Sequence, residues 1–351
     1  MKRRDFIKKT GAGAVGAGTA VAAPYVIAQK KTTIRWRIQT YAGAALAAHV
    51  LKPGVEAFNK AANNEMVIDM YSSDELVPQD ELFRAVQQGT LDAAQSDADS
   101  MAAPVDVAAF EAYFPFASRY SLDVPVLFEG YGLNEIWEEA YSEVDGVKWL
   151  GAGAWDPCNF ASREPIRSLE DFKGKRMFMF PTVGRFMQQF GVVPVVIPFE
   201  QVQVALQTGR LDGVCWSGIT EDYNNGWADV TNYYLTNPIS GAWIGSYFAN
   251  SDSWNALPDH LKHLFRMSMV WSHYYRLHWY WEGEARLRAH GGKLELTSIP
   301  QEEWNEVEDK ASDFWDEIGQ KSERNAKVVE ILREYNDTMR KAGPPYRYGD
   351  A

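Results

Sequence analysis

The sequence predicts a two-lobed α/β protein with a binding cleft between the lobes. Three observations predict it. Strand patterns alternate with helix patterns from Thr33 onward, which implies a parallel or mixed sheet flanked by helices. A nine-residue unit, Ala85-Val86-Gln87-Gln88-Gly89-Thr90-Leu91-Asp92-Ala93, returns 120 positions later as Ala205-Leu206-Gln207-Thr208-Gly209-Arg210-Leu211-Asp212-Gly213, with five identities. The chain's 351 residues also exceed one ordinary domain of roughly 100–200 residues.

The first strand starts near Thr33, where Ile34, Trp36 and Ile38 alternate with Arg35, Arg37 and Gln39. A helix is expected over residues 44–62, a second strand over 66–71, a helix over 80–88 and a short strand over 91–95. Gly89 fits a helix stop that needs positive φ. The repeated unit carries the same grammar into a second lobe. That lobe is expected over residues 155–243, after a first lobe over 29–154 that parts of 244–300 complete. From Asp259 the spacing turns helical. Further helices are expected within residues 301–351, over 301–319 and 324–341, before Gly343-Pro344-Pro345 stops them.

The net charge is −12, and the first 28 residues carry five basic groups against one acid, so the remainder is more acidic still. An acidic body excludes nucleic-acid binding, which needs a basic footprint, and docking on anionic lipid. Cys158 and Cys215 are the only cysteines, and no spacing suits a zinc site. They are either a pair joined in an oxidising compartment or two buried thiols.

Residues 1–28 form an export address. Lys2, Arg3, Arg4, Lys8 and Lys9 precede a Gly/Ala/Val run, and Val26-Ile27-Ala28 suits cleavage. Arg3-Arg4-Asp5-Phe6-Ile7-Lys8 resembles the twin-arginine signature. The expected location is the periplasm. No later stretch reaches about 18 uncharged apolar residues, the length of a membrane helix.

Ligands of open α/β sheets sit beyond the carboxyl ends of the strands. Those ends carry Ser96-Asp97-Ala98-Asp99 in one lobe and Cys215-Trp216-Ser217-Gly218 in the other. Tyr41, Trp155, Asp156, Asn159, Trp227 and Trp243 fall near the same edges. Aromatic faces with Asp and Asn acceptors suit a neutral hydroxylated solute, an aromatic one, or a cation held by ring quadrupoles. Trp281-Glu282-Gly283-Glu284 and Glu302-Glu303-Trp304-Asn305-Glu306 are expected to be solvated helix faces.

Leu76-Val77-Pro78, the first repeated unit, Arg163-Glu164-Pro165-Ile166-Arg167-Ser168-Leu169-Glu170-Asp171-Phe172-Lys173-Gly174, Gly191 to Ile197 and the second repeated unit occur in that order. Together they resemble the DctP-type solute-binding proteins of tripartite ATP-independent periplasmic (TRAP) transporters. Trp216 to Tyr234 looks most like the α-keto-acid and mannitol/chloroaromatic branch. The resemblance implies a periplasmic-binding-protein-like fold with crossing strands and a long connecting helix. It implies a small organic solute as ligand, TRAP membrane subunits as partners and no enzymatic activity. It would also permit a homodimer through the C-terminal helices.

The sequence departs from that pattern at the ligand. Members of the family hold a carboxylate with one arginine shortly after the Lys-Gly step; here that position is Phe178. Arg176, two residues earlier on the same strand face, and Arg185, in the following helix, are the replacement candidates. The branch's bridging cation is held by acidic and amide side chains, and the matching positions here are Cys215 and Gly241. Neither supplies the oxygen ligands a hard cation needs, so no metal and no cofactor is expected. The rival readings are an exported hydrolase and a ligand-sensing partner of a receptor. No GxSxG, HExxH or nucleophile–base spacing supports the first.

Overall fold

A computed structural model of the chain describes residues 32–343; residues 1–28, expected to be an export address, and residues from Pro344 lie outside the described residues. The first part runs β1 (Ile34–Thr40), α1 (Ala44–Val50), α2 (Lys52–Ala61), β2 (Met66–Tyr71), α3 (Leu82–Gln87), β3 (Ala93–Ser96), α4 (Asp123–Gly130), α5 (Leu133–Ser142) and β4 (Val147–Ala154). The second runs β5 (Cys158–Ser162), β6 (Arg176–Met179), α6 (Pro181–Met187), β7 (Val193–Val195), α7 (Val202–Gln207), β8 (Gly213–Cys215), α8 (Ile219–Asn224) and β9 (Tyr233–Ser240). Then come β10 (Ile244–Asn250), α9 (Ser251–Asn255), α10 (Asp259–His290), β11 (Glu295–Thr297), α11 (Gln301–Gly319) and α12 (Glu323–Ala342).

The strands form two sheets, ordered β2-β1-β3-β10-β4 and β11-β9-β5-β8-β6-β7. Reading the second sheet backwards gives the first one's plan. A central strand pairs in parallel with two neighbours, β1 with β2 and β3, β6 with β7 and β8. Next comes an antiparallel strand, β10 from beyond the second lobe in the first sheet and β5 from the second part's own start in the second. The chain therefore crosses between lobes from β4 to β5 and from β9 to β10, and again through α10 on the way to β11. β11 falls in the segment expected to help complete the first lobe, but it extends the second sheet by pairing with β9.

The repeated unit occupies equivalent places. Gly89 and Gly209 have φ of +73° and +74°, the left-handed conformation that favours glycine. Leu91 N–H then donates to Ala85 O at 3.1 Å, and Leu211 N–H to Ala205 O at 3.0 Å. Asp92 accepts the backbone N–H of Arg37 at 2.8 Å, and Asp212 that of Arg176 at 2.9 Å. Each aspartate thereby pins the start of β3 or β8 to the central strand of its sheet.

Two local readings needed correction. The helix expected over 44–62 is two helices. α1 stops at Val50, and Pro53 sits in the first turn of α2, where its missing N–H costs nothing. Gln39, expected outward on β1, is fully buried. It accepts from Leu76 N–H at 2.9 Å and donates to Val77 O at 2.7 Å, which satisfies its amide and holds the loop before α3.

The 32-residue helix α10 links the lobes. It packs along α2 of the first and against α8 of the second. α12 docks on its own chain's first lobe. Tyr335 hydroxyl donates to Asp123 at 2.6 Å, and Arg324 pairs with Asp106 and Glu143 at 2.6 and 2.5 Å. Among the described residues no helix is long and apolar enough to cross a membrane.

Candidate ligand-binding cleft

The central strands of both sheets end on an aromatic residue at the cleft: Tyr41 follows β1 and Phe180 follows β6. Trp155 and Asp156 lie in the first crossing, and Trp243 in the second. Trp155 and Trp243 meet edge to face with centroids 4.2 Å apart, and Trp243 lies 5.1 Å from Tyr41. The backbone makes room for the two indoles. Gly153 and Gly245 are cross-strand partners on β4 and β10. A Cβ on Gly153 would lie 2.5 Å from the Trp155 ring, and one on Gly245 would lie 1.7 Å from the Trp243 ring.

Acidic groups gather at the opening of the second lobe. Asp156 is fully buried. It accepts from the Tyr113 hydroxyl at 2.9 Å and from Gly218 N–H at 2.6 Å. Glu221, in α8, accepts from the Tyr280 hydroxyl of α10. Burial pushes the Asp156 carboxyl well up, and Glu221 and Glu284 add to the shift. Burial likewise raises Glu221 to about 7. Asp222 is buried, its carboxyl raised, and neither of its oxygens has a hydrogen bond. Among the described residues no lysine or arginine hydrogen-bonds Asp156 or Glu221.

Arg276 of α10 is also fully buried, and its Nε and Nη2 have no hydrogen-bond partner. Its guanidinium lies 3.7 Å over the Trp155 ring, and Nη1 donates to Val50 O, Tyr247 and Ser272 at 2.5, 2.8 and 2.9 Å. Glu284, expected on a solvated face, is corrected to a half-buried one. It accepts from Thr220 N–H and hydroxyl, both at 2.9 Å, and pairs with Arg288 at 3.3 Å. Trp304, from the other stretch expected to be solvated, is buried against Phe116 and Phe160.

Across the cleft, Asp99 of the first lobe accepts from Thr182 of α6, at 2.9 Å from N–H and 2.7 Å from the hydroxyl. Asp97 turns back to its own loop and accepts from Ser100 N–H at 2.7 Å and hydroxyl at 3.1 Å. Burial raises both carboxyls, Asp97 to about 8, helped by Asp99, and Asp99 to about 6. Glu111 below them is a contrast. It is buried too, but Ala98 N–H, Trp137, Tyr141 and Ser246 all donate to it, so its oxygens are spent inside the lobe.

The remaining candidates divide. Asn159 is buried, donates to Leu235 O at 3.0 Å and lies 3.4 Å from Arg288. Arg176 is not brought to the cleft. It stays exposed on β6, paired with Asp212 at 2.8 Å and donating to Gly209 O, in the place Arg37 takes in the first sheet. Arg185 lies over Phe314 at 4.8 Å and 3.4 Å from Glu317, also partly exposed. Phe178 stacks on Trp216 at 4.5 Å while Phe180 stacks on it at 3.8 Å. Both phenylalanines therefore engage the indole's π surface, and Trp216 is buried. Trp227 packs against Phe178 and Phe199. Cys215 lies against Cys158, sulfur to sulfur 3.1 Å. Gly241 abuts the Arg119 main chain, where a Cβ would lie at 2.0 Å, so this position cannot carry a metal-ligating side chain. Among the described residues no cluster of three His, Cys, Asp or Glu is arranged to hold a metal.

Residues 43–322 match the profile of the bacterial extracellular solute-binding protein family 7, DctP. The chain belongs to this family. A TRAP periplasmic solute binding protein from Chromohalobacter salexigens, solved with bound (S)-(+)-2-amino-1-propanol, is 64% identical over 90% of this chain and 99% of its own, with a TM-score of 0.88. The monocarboxylate 2-oxoacid-binding periplasmic protein of a Nostoc species is 24% identical over 95% of this chain and 94% of its own. A TRAP solute binding protein from Pseudoalteromonas atlantica, with sodium and pyruvate bound, shares the fold at 19% identity, with a TM-score of 0.80 over 88% of this chain and 96% of its own.

As a DctP-family protein the chain is an extracytoplasmic solute receptor that works with the membrane subunits of a TRAP transporter, and it is not an enzyme. The family supports neither the hydrolase nor the sensing alternative. Sequence reasoning missed Tyr113, Phe180, Glu221, Tyr280, Arg276 and Glu284. Glu221-Asp222, an acidic pair just beyond the carboxyl end of β8, was the signal that could have found the second lobe's acids.

Proposed function

We propose that this receptor captures a small protonated amine of amino-alcohol size, rather than a carboxylate. The observation that carries the reading is the pair Asp156 and Glu221, buried together with no protein cation hydrogen-bonded to either. Burying a carboxylate without a counter-charge is costly. An ammonium group entering between them would supply that charge, and it would keep the Tyr113, Gly218 and Tyr280 donors where they are. Tyr41, Trp155 and Trp243 would face the solute's carbon chain and add ring attraction for the cation. Phe178 at the family's arginine position removes the usual carboxylate partner. The amino alcohol bound by the Chromohalobacter relative supports the same reading.

In this reading the Asp99–Thr182 contact already made here is the latch that shuts over the trapped solute, the two-lobed clamping of other binding proteins. In this proposal the site spans Tyr41, Asp97, Asp99, Trp155, Asp156, Asn159 and Trp243, with Glu221 added and Arg176 set aside. The first 28 residues are proposed as a twin-arginine signal that delivers the chain to the periplasm. A homodimer would use the outer faces of α11 and α12, because the inner face of α12 is taken by the first lobe.

A thermal-shift panel tests the reading. Amino alcohols and short primary amines should raise the melting temperature, as ligands of the native state must. Pyruvate, lactate, malonate and polyols should not. Stabilisation by the acids with silence from the amines would overturn it.

A further inference from the structure

Cys158 opens β5 and Cys215 closes β8. Both side chains are fully buried, and their sulfur atoms lie 3.1 Å apart. The two strands are antiparallel neighbours through Ala161–Val214 and Ser162–Gly213. Just beyond that ladder the same two segments are tied twice more. Asn159 N–H donates to Ser217 O at 3.2 Å, and Gly218 N–H donates to Asp156 at 2.6 Å. The cysteines thus sit at the root of the segments that carry Asp156 on one side and Trp216 to Gly218 on the other.

We propose that Cys158 and Cys215 are joined as a disulfide in the exported protein, and that this bond fixes the Asp156 segment against the Trp216–Gly218 segment. Extracytoplasmic compartments of bacteria keep such bonds oxidised. A disulfide is about 2.05 Å long, so the two sulfurs need close by only about 1 Å. The chemistry is thiol–disulfide exchange. The thiolate of one cysteine attacks the disulfide of a protein or small-molecule oxidant and releases one of its sulfurs as a thiol. The second cysteine then displaces the other sulfur. The oxidant's disulfide becomes two thiols, which take up the two cysteine protons, and the protein keeps the new S–S bond.

Burial raises the Cys158 thiol, and Cys215, Asp156 and Asp222 add to the shift. Exchange therefore belongs to the folding or opened chain, and the bond once formed is shielded from reductant. The bond closes a loop between cysteines 57 positions apart, which restricts the unfolded chain and raises stability. The inference needs only export, so it stands or falls apart from the identity of the solute.

The test uses full-length protein recovered from the periplasm, unfolded in denaturant with an alkylating agent and no reductant. Neither cysteine should be alkylated, and peptide mapping should return Cys158 linked to Cys215. Reductant should expose both thiols and lower the melting temperature by several degrees. The double variant C158A/C215A should melt near the reduced protein and ignore reductant. Two alkylated cysteines in the unreduced protein would overturn the proposal. So would a reductant effect that persists in the double variant. If that variant does not accumulate, the mapping of the wild-type protein decides.

Discussion

Asp99 and Thr182 join the two lobes directly: one carboxylate takes both the backbone N–H and the hydroxyl of a single threonine, at 2.9 and 2.7 Å. Thr182 lies in the first turn of α6, and Asp99 lies beyond β3, so the contact ties the two sheets' ends together. Thr182→Val removes the hydroxyl and keeps the amide. It should cost closure about 1.5 kcal/mol and weaken solute binding roughly tenfold. Solution scattering should show a larger share of the open form. Unchanged affinity would mean that the contact does not contribute to closure.

Asp156→Asn and Glu221→Gln test the cation site. Each keeps the shape of the side chain and removes its charge. Calorimetry should show amine affinity falling by tenfold or more in both. The ligand-free melting temperature should hold or rise, because a buried carboxylate without a counter-charge is gone. A fall in both affinity and stability would instead mark these acids as structural.

Acidity should move the free and the loaded protein in opposite directions. Glu221 near 7, Asp97 near 8 and Asp99 near 6 all stand above ordinary carboxyl values. The native state then holds more protons than the unfolded chain across mildly acidic and neutral pH, so stability falls as pH rises. The ligand-free melting temperature should accordingly be higher at pH 5.5 than at pH 8. The ion pair with an amine needs the acids ionised, so the ligand-induced shift should be larger at pH 8. Parallel trends in the two would contradict the account.

Gly245→Ala and Gly153→Ala probe the indole pair. A Cβ on Gly245 would fall 1.7 Å from the Trp243 ring, so that ring must move. Overpacking of this kind costs about 1–3 kcal/mol. Both variants should lower the melting temperature and weaken binding together, with a change in tryptophan emission. Normal affinity in a folded Gly245→Ala protein would remove Trp243 from the binding site.

Arg176→Ala separates the two roles once open to that residue. Its guanidinium is exposed and engaged with Asp212, so solute affinity should not change and the melting temperature should drop only slightly. Lost binding would restore it as a ligand residue.

The grammar of the fold was legible because it is local. Gly89 and Gly209 stop helices at positive φ, and the aspartates three residues on tie each new strand to its neighbour, all within short stretches. Arg176 misled because a strand pattern shows the face of a residue and not its partner. Its Asp212 lies 36 positions away, in the same relation that ties Asp92 to Arg37. Trp216 stacks with Phe178 and Phe180, an arrangement that only the folded sheet brings together. The acids were half visible. Asp156 sits in the crossing beside Trp155, but the helices that carry Glu221 and Tyr280 meet across 59 positions, beyond the reach of spacing arguments.

The most direct test is a crystal structure of the complex with 2-amino-1-propanol. The amine nitrogen should lie within hydrogen-bond distance of carboxylate oxygens of both Asp156 and Glu221, with its carbon chain against Trp155 or Trp243. A nitrogen that contacts neither acid, or a carboxylate solute seated on Arg276 in its place, would contradict the account.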